Sequence, residues 1–293
     1  MPEYPLDLCA VLAPLRRGRG DPTMRVDADG TVWRAGSTPA GAATLALRRA
    51  DGAAVQATGW GPGAAWALDG LPALLGADDD DSAFVPHHPL IAQARHRLPG
   101  LRLGATRRVW DVLVAAVLEQ KVTSVEARRS WRELCWRFGE PAPGPAALRM
   151  PPSPAAVRAI PDWEWHRAGV DRSRRRALLA VAAVAPRLES AVALAGAAGR
   201  DLLRTVPGIG IWTAAEVAQR AWADADAVSV GDYHIPSVVG YALVGRPLDD
   251  AGMLEILAPY VPQRHRAVRY VEASGFRRPR FGPRLYPRDY REM

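Results

Sequence analysis

The chain has 293 residues, of which 48% are hydrophobic, and its formal net charge at pH 7 is +7. This size and composition indicate a globular protein with two or three cores in sequence. No apolar run approaches the roughly 20 residues that span a bilayer, and residues 1–8 do not resemble a signal peptide, so we expect a cytoplasmic protein without membrane contact.

The basic charge is unevenly distributed along the chain. Residues 1–95 contain eight Arg against eleven Asp and Glu, which leaves 30 basic against 20 acidic residues, or +10, for the remainder. This asymmetry favours a C-terminal two-thirds that faces a polyanion, although an Arg-rich composition can also reflect a GC-rich genome. Lys121 is the only lysine. Cys9 and Cys135 have no C-x-x-C partner, which argues against a disulfide framework, a zinc site or an iron–sulfur cluster, and Cys135 is expected to be a buried apolar residue.

Residues 1–82 are predicted to form a small α+β domain. Alternating apolar runs at 31–33 and 43–47 are typical of strands, with turn signals at Asp29-Gly30 and Asp51-Gly52. Apolar stretches at 6–15 and 64–75 predict helices laid on that sheet. The acidic run at 78–81 is interpreted as a solvated boundary, the usual role of a short acidic run.

Residues 83–274 are predicted to be all-α. Apolar residues recur at helical spacing in 110–121 and again in 125–136, with a break near 122–124. A Pro-rich connection follows, Ser153-Pro154 predicts a helix start, and the stretches 174–188 and 190–198 are again helical. Residues 275–293 are rich in Arg, Pro and aromatics without periodicity and are predicted to be an extended tail.

The most informative segment contains the turn V-P-G-I-G at 206–210, which two predicted helices flank. Pro207 is expected to stop the first helix, and Gly208 and Gly210 to allow left-handed or close-approach backbone geometry that a side chain would block. The second helix is expected to begin at about Trp212. Its free N–H groups and positive dipole end would then form an anion site suited to a DNA phosphate, bound without reading the base sequence.

A carboxylate follows the turn at a fixed distance. Asp232 opens another apolar helical stretch and, taken alone, is best explained as a helix N-cap. The turn and the carboxylate together resemble the helix-hairpin-helix DNA glycosylases, in which an L/V-P-G-I/V-G hairpin is followed after about twenty residues by a catalytic Asp. Trp-Thr-Ala at 212–214 and Tyr233 after Asp232 are most similar to bacterial 3-methyladenine DNA glycosylase II, as are L-P-G-L-R-L at 98–103 and V-L-E-Q-K-V-T at 117–123.

The resemblance implies a mainly α protein with the helix-hairpin-helix glycosylase fold. Its two helical subdomains would occupy 83–274. A small α+β domain similar to the TATA-box-binding protein would precede them at 1–82, and a basic aromatic tail would follow at 275–293. The resemblance also implies a monofunctional enzyme of base excision repair, which flips out an alkylated purine such as 3-methyladenine and hydrolyses its N-glycosidic bond, leaving an abasic site.

The resemblance assigns candidate site residues. Asp232 is the catalytic carboxylate, held near C1′ to stabilise positive charge on the sugar. Bifunctional relatives carry a Schiff-base lysine where this chain has Trp212, and iron–sulfur relatives need four cysteines, so neither strand cleavage nor a cluster is expected. The candidate pocket residues are Trp212, Tyr233, Trp110 and Gln120, and each aromatic can instead be a core residue. The candidate DNA contacts are Thr205, Val206, Pro207, Gly208, Ile209, Gly210, Thr213, Lys121 and Arg264, with Arg107, Arg108 and Arg204 as further candidate phosphate contacts.

Two departures from the family pattern affect these expectations. Lys121 stands where relatives carry an apolar residue that wedges into the duplex; its stem could fill the gap, it could be solvated, or, if it reached the sugar, weak lyase chemistry would follow. The segment 261–266 lacks the family's pocket tryptophan, which bears on the range of substrates. The alternatives are a glycosylase for oxidised or deaminated bases, a non-catalytic helix-hairpin-helix DNA-binding protein, and a transcriptional regulator, for which the sequence has no helix-turn-helix signal.

The expected partner is double-stranded damaged DNA, bound through arginine–phosphate contacts that salt weakens. A monomer is expected. No organic cofactor is implied, but hairpin carbonyls in the family can hold a monovalent cation, and Thr205 and Gly210 would supply them here.

Overall fold

The computed structural model describes residues 4–50 and 54–279. Its N-terminal part contains a four-stranded antiparallel sheet in which each strand pairs with the next along the chain. The strands are β1 (Met24–Val26), β2 (Val32–Thr38), β3 (Gly41–Arg49) and β4 (Val55–Trp60). The predicted runs at 31–33 and 43–47 are thus confirmed as strands, and Gly30 adopts φ +84° in the predicted turn. The second turn signal, at 51–52, lies outside the described residues.

Three short helices cover one face of this sheet. They are α1 (Leu8–Leu12), α2 (Ala64–Asp69) and α3 (Leu71–Leu74). Leu12 from α1 and Leu74 from α3 pack in one apolar core with Val32 and Leu47, which are cross-strand partners in β2 and β3. The predicted combination of a sheet with helices laid on it is therefore confirmed, and alternate β residues supply its core because successive side chains point to opposite faces.

The rest of the described chain is helical. Its helices are α4 (Pro89–Arg97), α5 (Trp110–Leu118), α6 (Ser124–Phe138), α7 (Pro154–Ala159), α8 (Asp162–Arg167), α9 (Arg172–Ala183), α10 (Ala185–Leu188), α11 (Ala191–Leu194), α12 (Gly196–Arg204), α13 (Ile211–Ala221), α14 (Ile235–Val244), α15 (Asp250–Leu257) and α16 (Arg264–Ala273). In the part of the chain described, no single helix is long and apolar enough to cross a membrane, and one bent pair, Arg172–Ala183 with Ala185–Leu194, passes on length and composition alone.

The helices pack around two apolar cores, as the predicted pair of subdomains requires. The first core is formed by α5 to α13, and the second by α4 together with α14, α15 and α16. The chain therefore leaves the second core after α4 and returns to it after α13. The segment between α13 and α14 joins the two cores, and it carries Asp232.

Helix α5 is the centre of the first core, and every one of its nine residues is buried. A charged side chain binds the backbone at each of its ends, half-buried Glu189 at the N-terminus and buried Arg174 at the C-terminus. At the N-terminus the Glu189 carboxylate accepts from the backbone N–H groups of Val109 and Trp110, and burial raises the pKa of that carboxyl group. At the C-terminus the Arg174 guanidinium donates to the Leu118 carbonyl at 2.9 Å. The end of α5 is thereby held in place, and the residues that follow it enter the candidate site.

The predicted break between the two helices is confirmed, with α6 beginning at Ser124. Thr123 and Glu126 form a reciprocal capping box at this start, in which each side chain accepts from the other's backbone N–H. Cys135 in α6 is fully buried, as predicted, and burial raises the pKa of its thiol well above the usual range.

The acidic run at 78–81 is only half solvated, because Asp78 and Asp80 are exposed but Asp79 is buried. Asp79 forms an ion pair with Arg266 of α16, which is also buried, and its carboxylate accepts from the backbone N–H of Leu103 at 2.9 Å. The prediction of a solvated run was wrong for Asp79, because a local acidic run carries no information about basic partners far along the chain.

The last carboxylate of the run, Asp81, is half-buried and pairs with Arg95 and Arg102.

Replacing Asp79 with Asn should lower the free energy of unfolding by about 3 kcal/mol, because the Arg266 guanidinium would remain buried without its counter-charge. Chemical denaturation followed by tryptophan fluorescence measures this change. Asp78→Asn is the matched control, since Asp78 is exposed and its replacement should change stability by no more than about 0.5 kcal/mol. Equal losses in the two variants would contradict a special role for the buried pair.

Candidate active site

A tight turn joins α12, which ends at Arg204, to α13, which begins at Ile211. The predicted arrangement of two helices around a turn is confirmed, with the second helix starting one residue earlier than expected. Gly208 has φ +91°, and a Cβ at this position would lie 2.8 Å from the Cβ of Ala177. The first turn glycine is therefore required by both its backbone conformation and its contact with α9.

The backbone of Gly210 is not left-handed, which was one of the two geometries expected for the turn glycines. Its φ is −92° and its ψ −174°, an extended conformation open to any residue. A Cβ built on it meets no heavy atom within 4 Å. The folded chain itself therefore places no steric demand on Gly210, and the space in front of it is open. No side chain caps the N-terminus of α13, so the first N–H groups of this eleven-residue helix face that space.

The other turn residues are held from inside. The side chains of Val206 and Ile209 are buried in the first core, and the Thr205 hydroxyl donates to the Leu202 carbonyl at 2.7 Å. Thr205 and Pro207 are exposed, so the turn presents their side chains to solvent together with its backbone. The burial of Val206 and Ile209 corrects the expectation that their side chains contact DNA.

Gln120 fixes the turn to the end of α5. Its amide nitrogen donates to the Gly208 carbonyl at 3.0 Å and to the Thr213 hydroxyl at 2.8 Å. Both donor hydrogens of the amide are used in this way. Gln120, predicted as a pocket residue, is instead a positioning residue for the turn, and the buried Thr213 accepts from Gln120 rather than facing solvent.

Asp232 has both of its carboxylate oxygens engaged. Oδ1 accepts from the backbone N–H groups of His234 at 2.7 Å and Ile235 at 2.9 Å, the residues at the N-cap and first position of α14. Oδ2 accepts from the indole N–H of Trp212 at 2.9 Å. Asp232 was interpreted as the helix N-cap, but it lies two residues before the N-cap residue His234; its half-buried carboxylate holds the start of α14 from outside the helix and is fixed against the first turn of α13. Gly231 before it adopts φ +88°.

The loop that carries Asp232 is anchored on both sides. Gln219 of α13 donates to the Ala227 carbonyl and to the Ser229 hydroxyl, each at 2.8 Å. Arg264 of α16 forms a two-point ion pair with Asp226, its Nε lying 2.8 Å from Oδ1. Burial alone would raise the pKa of Asp226, but hydrogen bonds from Arg264 outweigh it and lower that pKa.

Arg264 was predicted to contact DNA, and this ion pair corrects that expectation. Its guanidinium binds both carboxylate oxygens of Asp226 at a half-buried position. The further arginine candidates are also engaged: Arg108 pairs with Glu189, Arg204 with Asp201, and Arg107 lies over the Trp66 ring. Of these, the Arg204–Asp201 pair is a largely exposed surface contact, which costs little to separate.

The predicted pocket aromatics occupy three different environments. Trp110 is buried in the first core, where its indole N–H donates to the Pro152 carbonyl at 3.0 Å. It lies at the N-terminus of α5, about 12 Å along the helix axis from the end that meets the turn, so it is a core residue and not a pocket face. Trp212 is half-buried against Asp232. Tyr233 is 76% exposed, with its ring edge-on to His234 at a centroid distance of 4.9 Å.

His234 and Arg278 were not identified in the sequence. The Arg278 guanidinium lies 3.0 Å from Nδ1 of His234 and donates to the Ser237 hydroxyl at 3.1 Å. The first residues of the predicted tail thus return to the start of α14, next to Asp232. The Arg-rich composition of the tail was the only signal, and it gave no position. The part of the tail from residue 280 onward lies outside the described residues.

Lys121, the predicted wedge position, lies in the turn between α5 and α6. The residue is exposed and adopts φ +54°. Gln120 before it and the capping box at Thr123 after it hold the backbone on both sides.

The monovalent cation implied for the carbonyls of Thr205 and Gly210 stays a prediction. The Gly210 carbonyl accepts the α13 hydrogen bond from Ala214 at 3.0 Å, and the Gly208 carbonyl accepts from Gln120. Over residues 4–50 and 54–279 no group of three or more His, Cys, Asp or Glu side chains is placed to hold a metal ion.

Two clefts of about 390 and 380 Å³ lie beside the N-terminal sheet, and Arg34 lines both. Neither is lined by Asp232 or Trp212. The carboxylate therefore does not open into either of these two clefts.

Comparison with known proteins identifies the architecture. No protein-family model matches the sequence, and no curated protein matches it. Among solved structures, a 3-methyladenine DNA glycosylase from Archaeoglobus fulgidus superposes with a TM-score of 0.75 at 15% identity, covering 92% of this chain and 94% of that one. The 8-oxoguanine glycosylase/lyase of Clostridium acetobutylicum superposes in its apo form with a TM-score of 0.72 at 10% identity, over 93% and 94% of the two chains.

The same Clostridium enzyme, in complex with double-stranded DNA that contains cytosine opposite 8-oxoguanine, gives a TM-score of 0.71 at 10% identity, over 92% and 91%. These matches extend over the sheet region as well as the helices, because each covers more than nine-tenths of both chains. At 10–15% identity they establish a common architecture. The chain therefore has the fold of the DNA glycosylases along almost its whole length.

Proposed function

We propose that this protein is a monofunctional DNA glycosylase that removes alkylated purines, such as 3-methyladenine, in base excision repair. The observation that carries the proposal is the Asp232 carboxylate, held by the Trp212 indole beside an uncapped helix N-terminus at the junction of two helical cores. Hydrolysis of an N-glycosidic bond in DNA requires a carboxylate near C1′ and a site that holds a neighbouring phosphate. Asp232 and the turn would supply these two groups.

The proposed chemistry is hydrolysis of the N-glycosidic bond. The bond between C1′ and the purine nitrogen breaks with its electron pair leaving on the base, and positive charge develops on the sugar ring. The Asp232 carboxylate stabilises this charge and orients the water whose oxygen bonds to C1′; the water proton is released, leaving an abasic site. Both oxygens of Asp232 already accept hydrogen bonds, so the carboxylate requires no reorientation during the reaction.

The proposed DNA contact is the backbone of the turn and the first N–H groups of α13. The positive end of a helix dipole and its free N–H groups attract a phosphate. Gly210 supports this role because nothing in the protein occupies the space in front of it. Lys121, exposed in the neighbouring turn, is the proposed side-chain contact. We propose double-stranded DNA as the partner and a monomer as the active form, with no organic cofactor.

Base removal without strand cleavage follows from Trp212. An indole has no amine with which to form an imine, and its N–H is already bonded to Asp232. Trp212 is therefore proposed as the residue that positions the carboxylate. Tyr233, exposed beside Asp232, is the aromatic face proposed to stack on the flipped base.

We propose alkylated purines as substrates for two reasons. The turn continues into Trp-Thr-Ala, and the chain superposes with a 3-methyladenine glycosylase. A glycosylase for oxidised bases is a second candidate, because an 8-oxoguanine glycosylase/lyase superposes almost equally well. That enzyme is named as a glycosylase/lyase, whereas this chain has Trp212 at the position where bifunctional relatives carry the lysine. A panel of alkylated, oxidised and deaminated duplexes separates the two candidates.

The domain division is proposed at residues 82/83 and 274/275. The four-stranded sheet with its helices would correspond to the domain similar to the TATA-box-binding protein. Its position against the helical cores is fixed by contacts that include Ser37, whose hydroxyl and N–H both donate to Asp111 of α5 at 2.7 Å.

Asp232→Asn should reduce release of 3-methyladenine from methylated duplex DNA by about 10²–10³-fold, because the developing positive charge loses its counter-ion. Asn still accepts from the backbone at the start of α14 through its carbonyl oxygen, so the unfolding midpoint should change little. Product strands of the native protein should break only after alkali. Strand breaks without alkali, at the rate of base release, would contradict the monofunctional assignment.

Trp212→Phe is the companion variant, since it keeps the carboxylate and removes only the hydrogen bond to it. The expected loss is about tenfold, the worth of one hydrogen bond to a charged group. In the double variant the loss should equal that of Asp232→Asn alone, because Trp212 acts through the carboxylate. Additive losses would show that Trp212 acts in another way. If the native protein binds every duplex of the panel and releases no base, the non-catalytic DNA-binding alternative is correct.

Gly210→Ala and Gly208→Ala should separate DNA contact from folding. Gly210→Ala should leave the unfolding midpoint unchanged but weaken binding to duplex DNA by about tenfold, because the added methyl occupies the proposed phosphate position. Gly208→Ala should cost about 1–2 kcal/mol of stability from its left-handed backbone, and the contact with Ala177 adds to this. Fluorescence anisotropy and denaturation measure the two effects. Undiminished binding by Gly210→Ala would rule out the turn as the phosphate site.

A further inference from the structure

The larger of the two clefts beside the N-terminal sheet has a lining that favours an anion. Its volume is about 390 Å³, and it is bounded by β2, β3, α2 and the residues before α5. Arg34 and Arg108 give this lining two positive charges, and no carboxylate is among the described residues that form it. Ser37 and Thr106 add hydroxyl groups. Guanidinium and hydroxyl donors without a carboxylate are the combination that binds an oxyanion.

Arg34 is a half-buried cation without a partner. In the part of the chain that the structure describes, its guanidinium forms no hydrogen bond and no ion pair. Asp111 lies close by, since a Cβ on Gly36 would be 3.2 Å from Nη1 of Arg34 and 3.1 Å from Oδ2 of Asp111. The two oxygens of Asp111 accept from Ser37 instead.

The surroundings of Arg34 do not compensate its charge fully. Burial lowers the pKa of the guanidinium, and the negative charges of Asp111 and Asp21 offset only part of this effect. A charge that is withdrawn from water without a bound partner destabilises the folded protein. An anion in the cleft would supply the missing counter-charge.

Two further donors at the cleft lack an acceptor among the residues described. Nε of Arg108 is buried and has no hydrogen-bond partner, although Nη2 of the same side chain pairs with Glu189 at 3.2 Å. The indole N–H of Trp66 forms no hydrogen bond either, and the Arg107 guanidinium lies over its ring at 5.0 Å from the centroid. Because buried polar groups in folded proteins are nearly always hydrogen-bonded, such a group of donors indicates a missing acceptor.

The cleft is separate from the candidate active site. Arg108 lies just before the first residue of α5, whereas Gln120, which binds the turn at 206–210, lies just after the last. The nine residues of α5 therefore separate the two places by about 12 Å along the helix axis. The donors of the cleft are thus not part of the phosphate contact proposed at the turn.

We propose that this cleft binds a small oxyanion of the phosphate class, with Arg34 as its main ligand. The planar guanidinium can donate to two oxygens of one anion, and the remaining oxygens can accept from the other donors of the lining. Binding is reversible and includes no covalent step. A DNA phosphodiester has the same donor requirements, but the distance from the turn favours a free ion. The inference does not depend on base removal, since it uses none of the residues proposed for that reaction.

Isothermal titration calorimetry of the full chain with inorganic phosphate tests the inference, with potassium chloride at equal ionic strength as the reference titration. Native protein should bind one phosphate saturably, and Arg34→Met should weaken this binding at least about tenfold, because the charge-assisted contact is lost. Arg34→Met should keep or raise the unfolding midpoint in phosphate-free buffer, since Arg34 has no partner to lose. Arg34→Lys, which keeps the charge without the planar fork, is the second variant and should also bind phosphate more weakly than native protein.

Arg48→Met is the matched control. Arg48 is an exposed arginine of β3 that donates to Gln56 at 2.8 Å and does not line the cleft. This variant should bind phosphate as native protein does. No saturable binding by native protein, native affinity in both Arg34 variants, or an equal loss in Arg48→Met would each overturn the inference.

Duplex DNA separates the two sources of phosphate. In phosphate-free buffer, Arg34→Met should bind a duplex as tightly as native protein does, measured by fluorescence anisotropy. Weaker duplex binding by Arg34→Met but not by Arg48→Met would show that the cleft holds a backbone phosphate and would overturn its assignment to a free ion. Phosphate binding that depends on Arg34, in a protein that releases no base, would support the inference and remove the proposed glycosylase activity.

Discussion

The first turn of α13 is the structural element on which the candidate site depends. One of its residues, Thr213, binds the end of the central helix α5 through Gln120, and the preceding one, Trp212, binds Asp232. The turn thereby connects the first helical core with the loop that leads into the second. Charged side chains fix both ends of α5. The two hydrogen bonds at the start of α13 therefore hold the carboxylate in a fixed position relative to this central helix.

This arrangement gives single residues two tasks. Asp232 binds the backbone at the start of α14 and is also the proposed catalytic carboxylate, so the helix start and the site geometry are specified together. Two backbone N–H groups hold one carboxylate oxygen, which leaves the other oxygen with a defined direction. A structural role at the helix start and a catalytic role are therefore compatible.

The net charge of +7 is a poor guide to the surface that would meet DNA. Arg174 and Arg266 are buried, and Arg264 is paired with Asp226. These three arginines therefore stabilise the fold and are not available to a DNA phosphate. The proposed DNA contacts lie instead at a helix N-terminus and at Lys121. Backbone N–H groups do not contribute to the net charge, and Lys121 contributes a single unit of it.

Local sequence patterns predicted the helices, strands and turns well. They could not predict which residues far apart in the chain contact each other. The alternation of apolar and polar residues identified β2 and β3. The turn at 206–210 could be predicted because a left-handed backbone at Gly208 favours glycine, so the residue type itself indicates the conformation. By contrast, Trp110 and Trp212 both stand at helix starts in similar patterns, and only tertiary packing makes one a core residue and the other a partner of Asp232. Gln120 could not be assigned because its two acceptors lie about ninety residues away.

The buried pair between Asp79 and Arg266 has a consequence for how the chain can be divided. Its carboxylate lies on the N-terminal side of the proposed boundary at 82/83, and its guanidinium lies in the last helix of the helical region. A fragment that starts at residue 83 would lack the carboxylate that neutralises Arg266, and of the hydrogen-bond partners of this guanidinium only the Gln263 side chain would remain. The proposed boundary therefore divides an ion pair, and an isolated helical fragment needs a neutral residue at position 266 to avoid a charge without its counter-charge.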